Sequence, residues 1–416
     1  MAPAAVPEVQ REARVLRHDV VIVGGGLVGA SLAIALSQSG IDVALVEATA
    51  ADALPAVFDE RNLSFADATV NGLAALGVMR ELRDSPTPIQ RIHVSRSGDF
   101  GRVKLDARTY GREAFGQVVV ARDFGQALEA RLRKAAGLIR YRPARFIGLD
   151  EADGDTRRVR IVDAEGEHTL TARLLVAADG TASGVREALG IDVERHDYAQ
   201  ALFVARLRTG RAPDGTAYER FCDSGPTALL PRGDRHFGVV HGVPAEEADA
   251  VAASSDDVFL ERLQRAFGWR VGRFLSIGPR SRYPAIAQRA NAIAAARAVL
   301  VGNAAQTLHP IGAQGFNLGL RDALTLAELI GQHREDPGSE RLLAEYTRRR
   351  GEDHARTIAF SDGLARLTAN NAPLLRPLRS LGLLAIDGAP WLQAMLVGGA
   401  MGYRGDDVPR LCRSTA

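Results

Sequence analysis

Three glycines define the first chemistry in this chain. Gly24-x-Gly26-x-x-Gly29 lies between an apolar run, His18-Asp19-Val20-Val21-Ile22-Val23, and a stretch from Leu27 to Gln38 with helical character. A glycine at position 24 permits a tight turn. One at 26 lets the backbone approach a pyrophosphate, and one at 29 lets helix and strand pack closely. The helix start at Leu27 then offers N–H groups and the positive end of its dipole to phosphates. Glu47 closes the next apolar run, Val43 to Val46, near the offset of roughly 20 residues at which an acid meets ribose hydroxyls. Together these residues predict a dinucleotide site without saying which dinucleotide.

Two later segments narrow the choice. Ala178-Asp179-Gly180-Thr181-Ala182-Ser183-Gly184-Val185-Arg186 follows the apolar run that begins at Leu174. Gly302-Asn303-Ala304-Ala305-Gln306-Thr307-Leu308-His309-Pro310-Ile311-Gly312-Ala313-Gln314-Gly315-Phe316-Asn317 follows Ala298 to Val301. With the glycine turn, they stand in the order found in the flavin-dependent monooxygenases of the 4-hydroxybenzoate hydroxylase type, and the chain resembles that family. Phe58-Asp59-Glu60-Arg61 with Leu63-Ser64, and the pair Asn303 and Gln306 before Thr307-Leu308-His309-Pro310, resemble the branch that hydroxylates 2-polyprenyl-6-methoxyphenols in ubiquinone biosynthesis. Gly312-Ala313 departs from that branch, which usually reads Ala-Gly, and is closer to 4-hydroxybenzoate hydroxylase.

The resemblance implies FAD held at Gly24, Gly26, Leu27, Gly29, Glu47, Arg61, Arg122, Asp179, Asn303, Gly312, Gly315, Phe316 and Asn317. It implies NAD(P)H as a transient electron donor, since no second dinucleotide fingerprint is visible, and molecular oxygen as co-substrate. An amide at Asn303 accepts or donates a hydrogen bond without adding negative charge beside the flavin. The turn at Gly312 to Gly315 opens a helix near Asn317 whose N–H groups face the flavin and favour its anionic reduced form. Each candidate also has a plainer reading. Arg61 and Arg122 suit a solvated surface, and Asp179 suits a helix cap. His309 is the one candidate for a catalytic base, although a lone loop histidine is more often structural. The implied substrate is a lipophilic phenol. Thr227-Ala228-Leu229-Leu230 and Phe237-Gly238-Val239-Val240 are apolar enough to receive one, while Arg220, Arg232 and Arg235 are the residues that could instead clamp a benzoate carboxylate. The alternatives are a monooxygenase of another aromatic compound, a flavin oxidase or dehydrogenase, and a flavin-bearing scaffold within a complex of ubiquinone-biosynthesis proteins.

Positioning these residues requires an α/β fold: a Rossmann-type FAD-binding domain, an inserted and largely antiparallel β-sheet substrate domain, and a helical C-terminal region. The FAD-binding domain is expected over 18–90, 111–190 and 285–340, the substrate domain over 91–110 and 191–284, and the helical region over 341–416. Phe124, Leu128 and Leu132 recur at helical spacing. A strand ends at Ala178, another at Val301, and a helix runs from about Asn317 to Ile330. Pro373, Pro377 and Pro390 are expected to break the C-terminal helices. Residues 1–17 read as a loose leader.

The bulk properties limit the function classes. The 416 residues include 46% hydrophobic and 25% charged residues, with a formal charge of +2, a globular profile. Lys104 and Lys134 are the only lysines, and arginine alternates with Asp and Glu rather than forming a basic run, which argues against nucleic-acid binding. Cys222 and Cys412 are the only cysteines, which fits a reducing, cytoplasmic setting. Val20 to Leu36 is uncharged, but its glycines argue against a signal peptide or membrane span. Leu381 to Met401 is rich in Leu, Ile, Trp and Met with few charges. It is expected either to pack on the FAD-binding domain or to make peripheral contact with the inner face of a membrane.

Overall fold

The computed structural model describes residues 16–56, 58–151, 154–309, 311–369, 375–403 and 408–413. The expected leader, except for Leu16 and Arg17, lies outside the described residues, as do Pro310 and Pro373.

The first sheet is built on parallel strands. Leu16–Val23 lies between Gly166–Ala177 and Val43–Val46, with Ala298–Leu300 and Leu138–Tyr141 at the flanks. Val20 and Ile22 enter one core cluster and Val21 and Val23 the other. A strand buried on both faces must be apolar throughout, so this segment reads as a continuous hydrophobic run. Helices Leu27–Gln38, Ala121–Arg133 and Gln314–Gln332 cover one face with Leu32, Leu36, Phe124, Leu128, Leu320 and Leu324. The first of these ends where expected: Gly40 takes φ 70° and its N–H donates to Ser37, a left-handed stop.

The second sheet has nine strands among the described residues, with Val193–Thr209, Phe237–Pro244, Gly225–Pro231 and Thr216–Cys222 at its centre. It is antiparallel except where Thr216–Cys222 runs parallel to Arg91–Arg96. Helix Asp256–Phe267, started by Ser255 and stopped at Gly268 (φ 83°), packs Phe259, Leu263 and Phe267 onto one face, against Phe203, Leu229 and Val239. The other face looks toward the loop after His309. Three short strands, Asn62–Ala66, Gly116–Val120 and Thr87–Pro88, form a third sheet.

Four elements differ from their sequence-based limits. Leu174 to Ala177 is the end of a twelve-residue strand from Gly166. Its polar first half finds antiparallel partners in Arg157–Asp163, a tertiary pairing that hydropathy does not report. Helix Gln314–Gln332 starts ahead of Asn317. Ala285 to Ala290, within the 285–340 segment expected in the FAD-binding domain, lies in strand Ser281–Ala290, which pairs with Val193–Thr209 in the second sheet. Pro377 does not break a helix: it sits in the first turn of Leu375–Gly388, where its missing N–H removes no helical hydrogen bond. Pro390 opens helix Pro390–Ala400. These two helices pack on the second sheet rather than on the first, with Val397 and Met401 against Ala107 and Phe115. No single helix among the described residues is long and apolar enough to cross a membrane.

Candidate flavin site

The glycine turn is tight for reasons visible atom by atom. Gly24 takes φ 105°, and a Cβ there would lie 2.4 Å from the Ala178 carbonyl oxygen. A Cβ on Gly29 would lie 1.9 Å from the Gly24 oxygen. Helix Leu27–Gln38 approaches the strands this closely only because both positions lack side chains. Gly26 differs, since its φ of −70° is open to any residue; nothing in its own backbone demands glycine. The helix has no side-chain cap and no acid in its first turn, so its first N–H groups face outward without an intrahelical acceptor. This is the arrangement that receives phosphate.

Glu47 sits beside that turn. Its carboxylate accepts from Gly25 N–H and from Thr49 N–H, each at 2.7 Å, which leaves lone pairs for a hydroxyl. Gly25 and Glu47 line a narrow cleft with Phe58, Glu129, Arg140 and Arg142. Burial raises the proton affinity of Glu129, but Arg140 and Arg142 outweigh it and hold the carboxyl below the usual range. The sequence reading missed this cluster. Its only local trace is an acid within the amphipathic helix Ala121–Arg133.

The two later motifs clasp each other. Arg186, almost fully buried, donates to the carbonyls of Ala304 and Thr181, each at 3.0 Å. The hydroxyls of Thr181 and Thr307 are 2.9 Å apart. Gly302 (φ 58°) and Gly319 both face Val28 of the first helix, with no room for a Cβ. The glycine turn, the Asp-Gly segment and the Gly302–Asn317 segment therefore meet at one place, and that place has the polar groups and the open backbone that FAD requires.

The individual candidates take distinct positions. Asp179 accepts from Ser183 Oγ at 2.5 Å and Val185 N–H at 3.1 Å, beside the start of helix Gly184–Ala188, whose N-cap is Ser183. Asn303 is exposed at the end of its strand. Gly312 (φ 73°) and Ala313 (φ 51°) are both left-handed and turn the chain into helix Gln314–Gln332. Gly315 has open space around it. Phe316 packs on Phe65 and Phe124. Asn317 is buried, with its amide committed to main chain: it accepts from Ala66 N–H and donates to the Ser64 and Ala313 carbonyls. Arg122 lies at the surface, paired with Glu60. Arg61 pairs with Asp59 and stacks over Tyr283, whose hydroxyl donates to Asp59. His309 is buried with its ring edge-on to Tyr198 and its carbonyl bonded by Ser361.

Behind the strand end lies a charge network that the sequence reading did not foresee. Fully buried Asp322 accepts from Gly302 N–H, Gln306 Nε2, Arg350 Nε and His354 Nε2. Burial opposes its ionisation, yet His354 and Arg350 hold its pKa down to about 2. Gln306 Oε1 is buried without a hydrogen-bond partner among the described residues.

In front of the same segment is a cavity of about 150 Å³. One wall is the open face of the second sheet: Leu202, Ala217, Glu219, Ala228, Leu230 and Val240. The opposite wall is Ser64, His309, Gly312 and Ala313. None of the three arginines considered as carboxylate clamps lines it. Arg220 donates to the Ala266 carbonyl, Arg232 pairs with Asp234, and Arg235 lies in the turn before Phe237 with φ 64°.

Known proteins share this plan. The FAD binding domain family matches residues 17–361. The chain is 34% identical over 401 residues to the ubiquinone hydroxylase UbiL of Rhodospirillum rubrum, covering 95% of this chain and 92% of that one. It is 28% identical to the 3-demethoxyubiquinol 3-hydroxylase of Escherichia coli, covering 92% and 98%. The fold matches the p-nitrophenol 4-monooxygenase of Pseudomonas putida with a TM-score of 0.77 at 18% identity, over 94% of this chain and 100% of that chain. The chain accordingly belongs to the FAD binding domain family and is a FAD-dependent monooxygenase.

Proposed function

We propose that this protein hydroxylates a polyprenylated methoxyphenol in ubiquinone biosynthesis, using NAD(P)H and molecular oxygen. The observation that carries the reading is the cavity in front of His309–Ala313. It is walled mainly by aliphatic side chains, and no Arg or Lys lines it among the described residues. A benzoate would bury an uncompensated carboxylate there, at prohibitive cost; a neutral phenol would not. A cavity of about 150 Å³ takes one benzene-sized ring, so a prenyl tail extends outward. The names of the relatives support the same pathway.

In this reading the N–H groups at the start of helix Leu27–Gln38 hold the FAD pyrophosphate, with Gly26 as the point of closest approach. Glu47 holds a ribose, and Asn303 and the turn at Gly312 to Asn317 border the flavin. Arg61, Arg122, Asp179 and Phe316 act as supports around it. Bound FAD supplies hydride acceptance from NAD(P)H and oxygen activation. The chain's own residues place the ring, exclude water and set the local charge. The exposed Leu381, Leu384 and Trp391, with Phe100 beside Ser380, suit contact with the bilayer in which such a substrate dissolves.

The test is NAD(P)H oxidation with product analysis. Tightly coupled hydroxylation of 2-polyprenyl-6-methoxyphenol, with 4-hydroxybenzoate left unchanged, is the expected result. Coupled hydroxylation of 4-hydroxybenzoate alone defeats the proposal.

A further inference from the structure

Strand Thr216–Cys222 alternates its faces. Tyr218 turns its ring to Phe237 and Phe267 in the packed core, so Ala217 and Glu219 turn the other way, into the cavity. Glu219 stands opposite Ala228 on one neighbouring strand and Val94 on the other, and Ala228 stands opposite Val240 on the next. An acid therefore projects from a wall that is mainly aliphatic.

Glu219 is partly exposed, to the cavity, and its carboxyl has no hydrogen bond or ion pair among the described residues. The apolar surroundings push the group up to about 7. The other titratable groups among the described lining residues are Tyr218, on the same strand, and His309, on the facing loop. Buried polar groups in folded proteins are normally satisfied. A carboxyl without a protein partner on the wall of a ring-sized cavity is met by water or by the ring that displaces it.

Resting on the reading of this protein as a phenol hydroxylase, we propose that Glu219 receives the substrate: its carboxyl takes the hydrogen bond of the ring hydroxyl and turns away rings that carry a carboxylate. A phenol O–H is a donor and an ionised carboxylate accepts only, so the two match. That bond draws the hydroxyl proton toward Glu219 and leaves more electron density on the ring carbons ortho and para to the oxygen, where an electrophilic oxygen atom is added. A benzoate in the same cavity would set two carboxylates together with no cation between them. Glu219 thus provides attraction for one class and repulsion for the other, the two elements of specificity.

The experiment uses the FAD-loaded enzyme, Glu219→Gln and Glu219→Leu. The probes are a 2-methoxyphenol with a short 6-prenyl chain and 4-hydroxybenzoate. Binding is followed by calorimetry and turnover by product analysis across pH, with FAD content and Tm confirming that each variant is folded. In the wild type, kcat/KM for the methoxyphenol is expected to rise with pH through about 7. Both variants are expected to lose that rise and to fall by about tenfold or more in kcat/KM, the scale of one charge-assisted hydrogen bond. Glu219→Gln is also expected to gain affinity for 4-hydroxybenzoate. Wild-type pH profile, rate and selectivity in both folded variants would overturn the proposal, as would a wild type that binds no phenol. If the wild type binds the methoxyphenol through Glu219 but forms no hydroxylated product, the functional reading fails and the assignment of Glu219 stands.

Discussion

Gly26 and Asp322 show what one residue contributes on either side of the proposed flavin. Gly26 keeps a backbone conformation open to any side chain, so Gly26→Val leaves the fold intact and places two methyl groups where a pyrophosphate would approach. The purified variant is expected to be colourless and folded. A yellow variant with full FAD would reduce the glycine to a turn residue. Asp322 works through charge. It pairs with Arg350 in a fully buried setting, so Asp322→Asn leaves Arg350 with Asp353 as its remaining acid among the described residues and is expected to destabilise the fold by about 3 kcal/mol, read from denaturant melts. The pH dependence has a fixed sign. Because the folded-state pKa is depressed to about 2, the stabilisation is present above the ordinary carboxylate value near 4 and is lost as pH falls toward about 2. The wild-type advantage over Asp322→Asn is therefore expected to shrink on acidification through that range. A constant advantage would mean that shape, not charge, holds the network together.

At the scale of elements, the turn into helix Gln314–Gln332 carries a local conflict. Gly312 at φ 73° costs nothing, but Ala313 at φ 51° holds a Cβ in the left-handed region, which costs about 1–2 kcal/mol. The strain is held in place from both sides, because Asn317 binds the Ala313 carbonyl while fastening the same helix to Asn62–Ala66. Ala313→Gly is expected to stabilise the folded protein by about 1 kcal/mol, less than the full strain because glycine also gains freedom in the unfolded chain. Thermal melts of the apoprotein check it, and a lower Tm would show that the methyl group makes a contact worth more than the strain.

For the whole molecule, the question is where a ring-sized cavity meets a lipid-soluble substrate. Helices Leu375–Gly388 and Pro390–Ala400 bury Val397 and Met401 on the second sheet and leave Leu381, Leu384 and Trp391 outside, Trp391 at 70% exposure. Changing those three exposed residues to serine keeps the packed side intact. The variant is expected to lose flotation with phospholipid vesicles while retaining FAD and Tm. Equal flotation of the two proteins would assign the patch another role.

Much of the fold around the proposed site was readable because it depends on local chemistry. Gly24, Gly29 and Gly302 are required by φ or by contacts of under 3 Å, constraints that leave only one residue type and so mark the sequence directly. The buried strands were readable because a strand covered on both faces must be apolar. The strand from Gly166, the second-sheet membership of Ala285 to Ala290, the Glu129–Arg140–Arg142 cluster and the Asp322 network were not readable. Each depends on partners far away in the chain, and a charged residue has the same local signature whether it is solvated or paired. Glu219 is the sharpest case. Which face of a strand holds a cavity is decided by the element that packs on the opposite face, here Phe259 and Phe267 of a helix about forty residues onward. Only that packing turns an ordinary surface-type glutamate into the one acid, among the described residues, on the wall of the cavity.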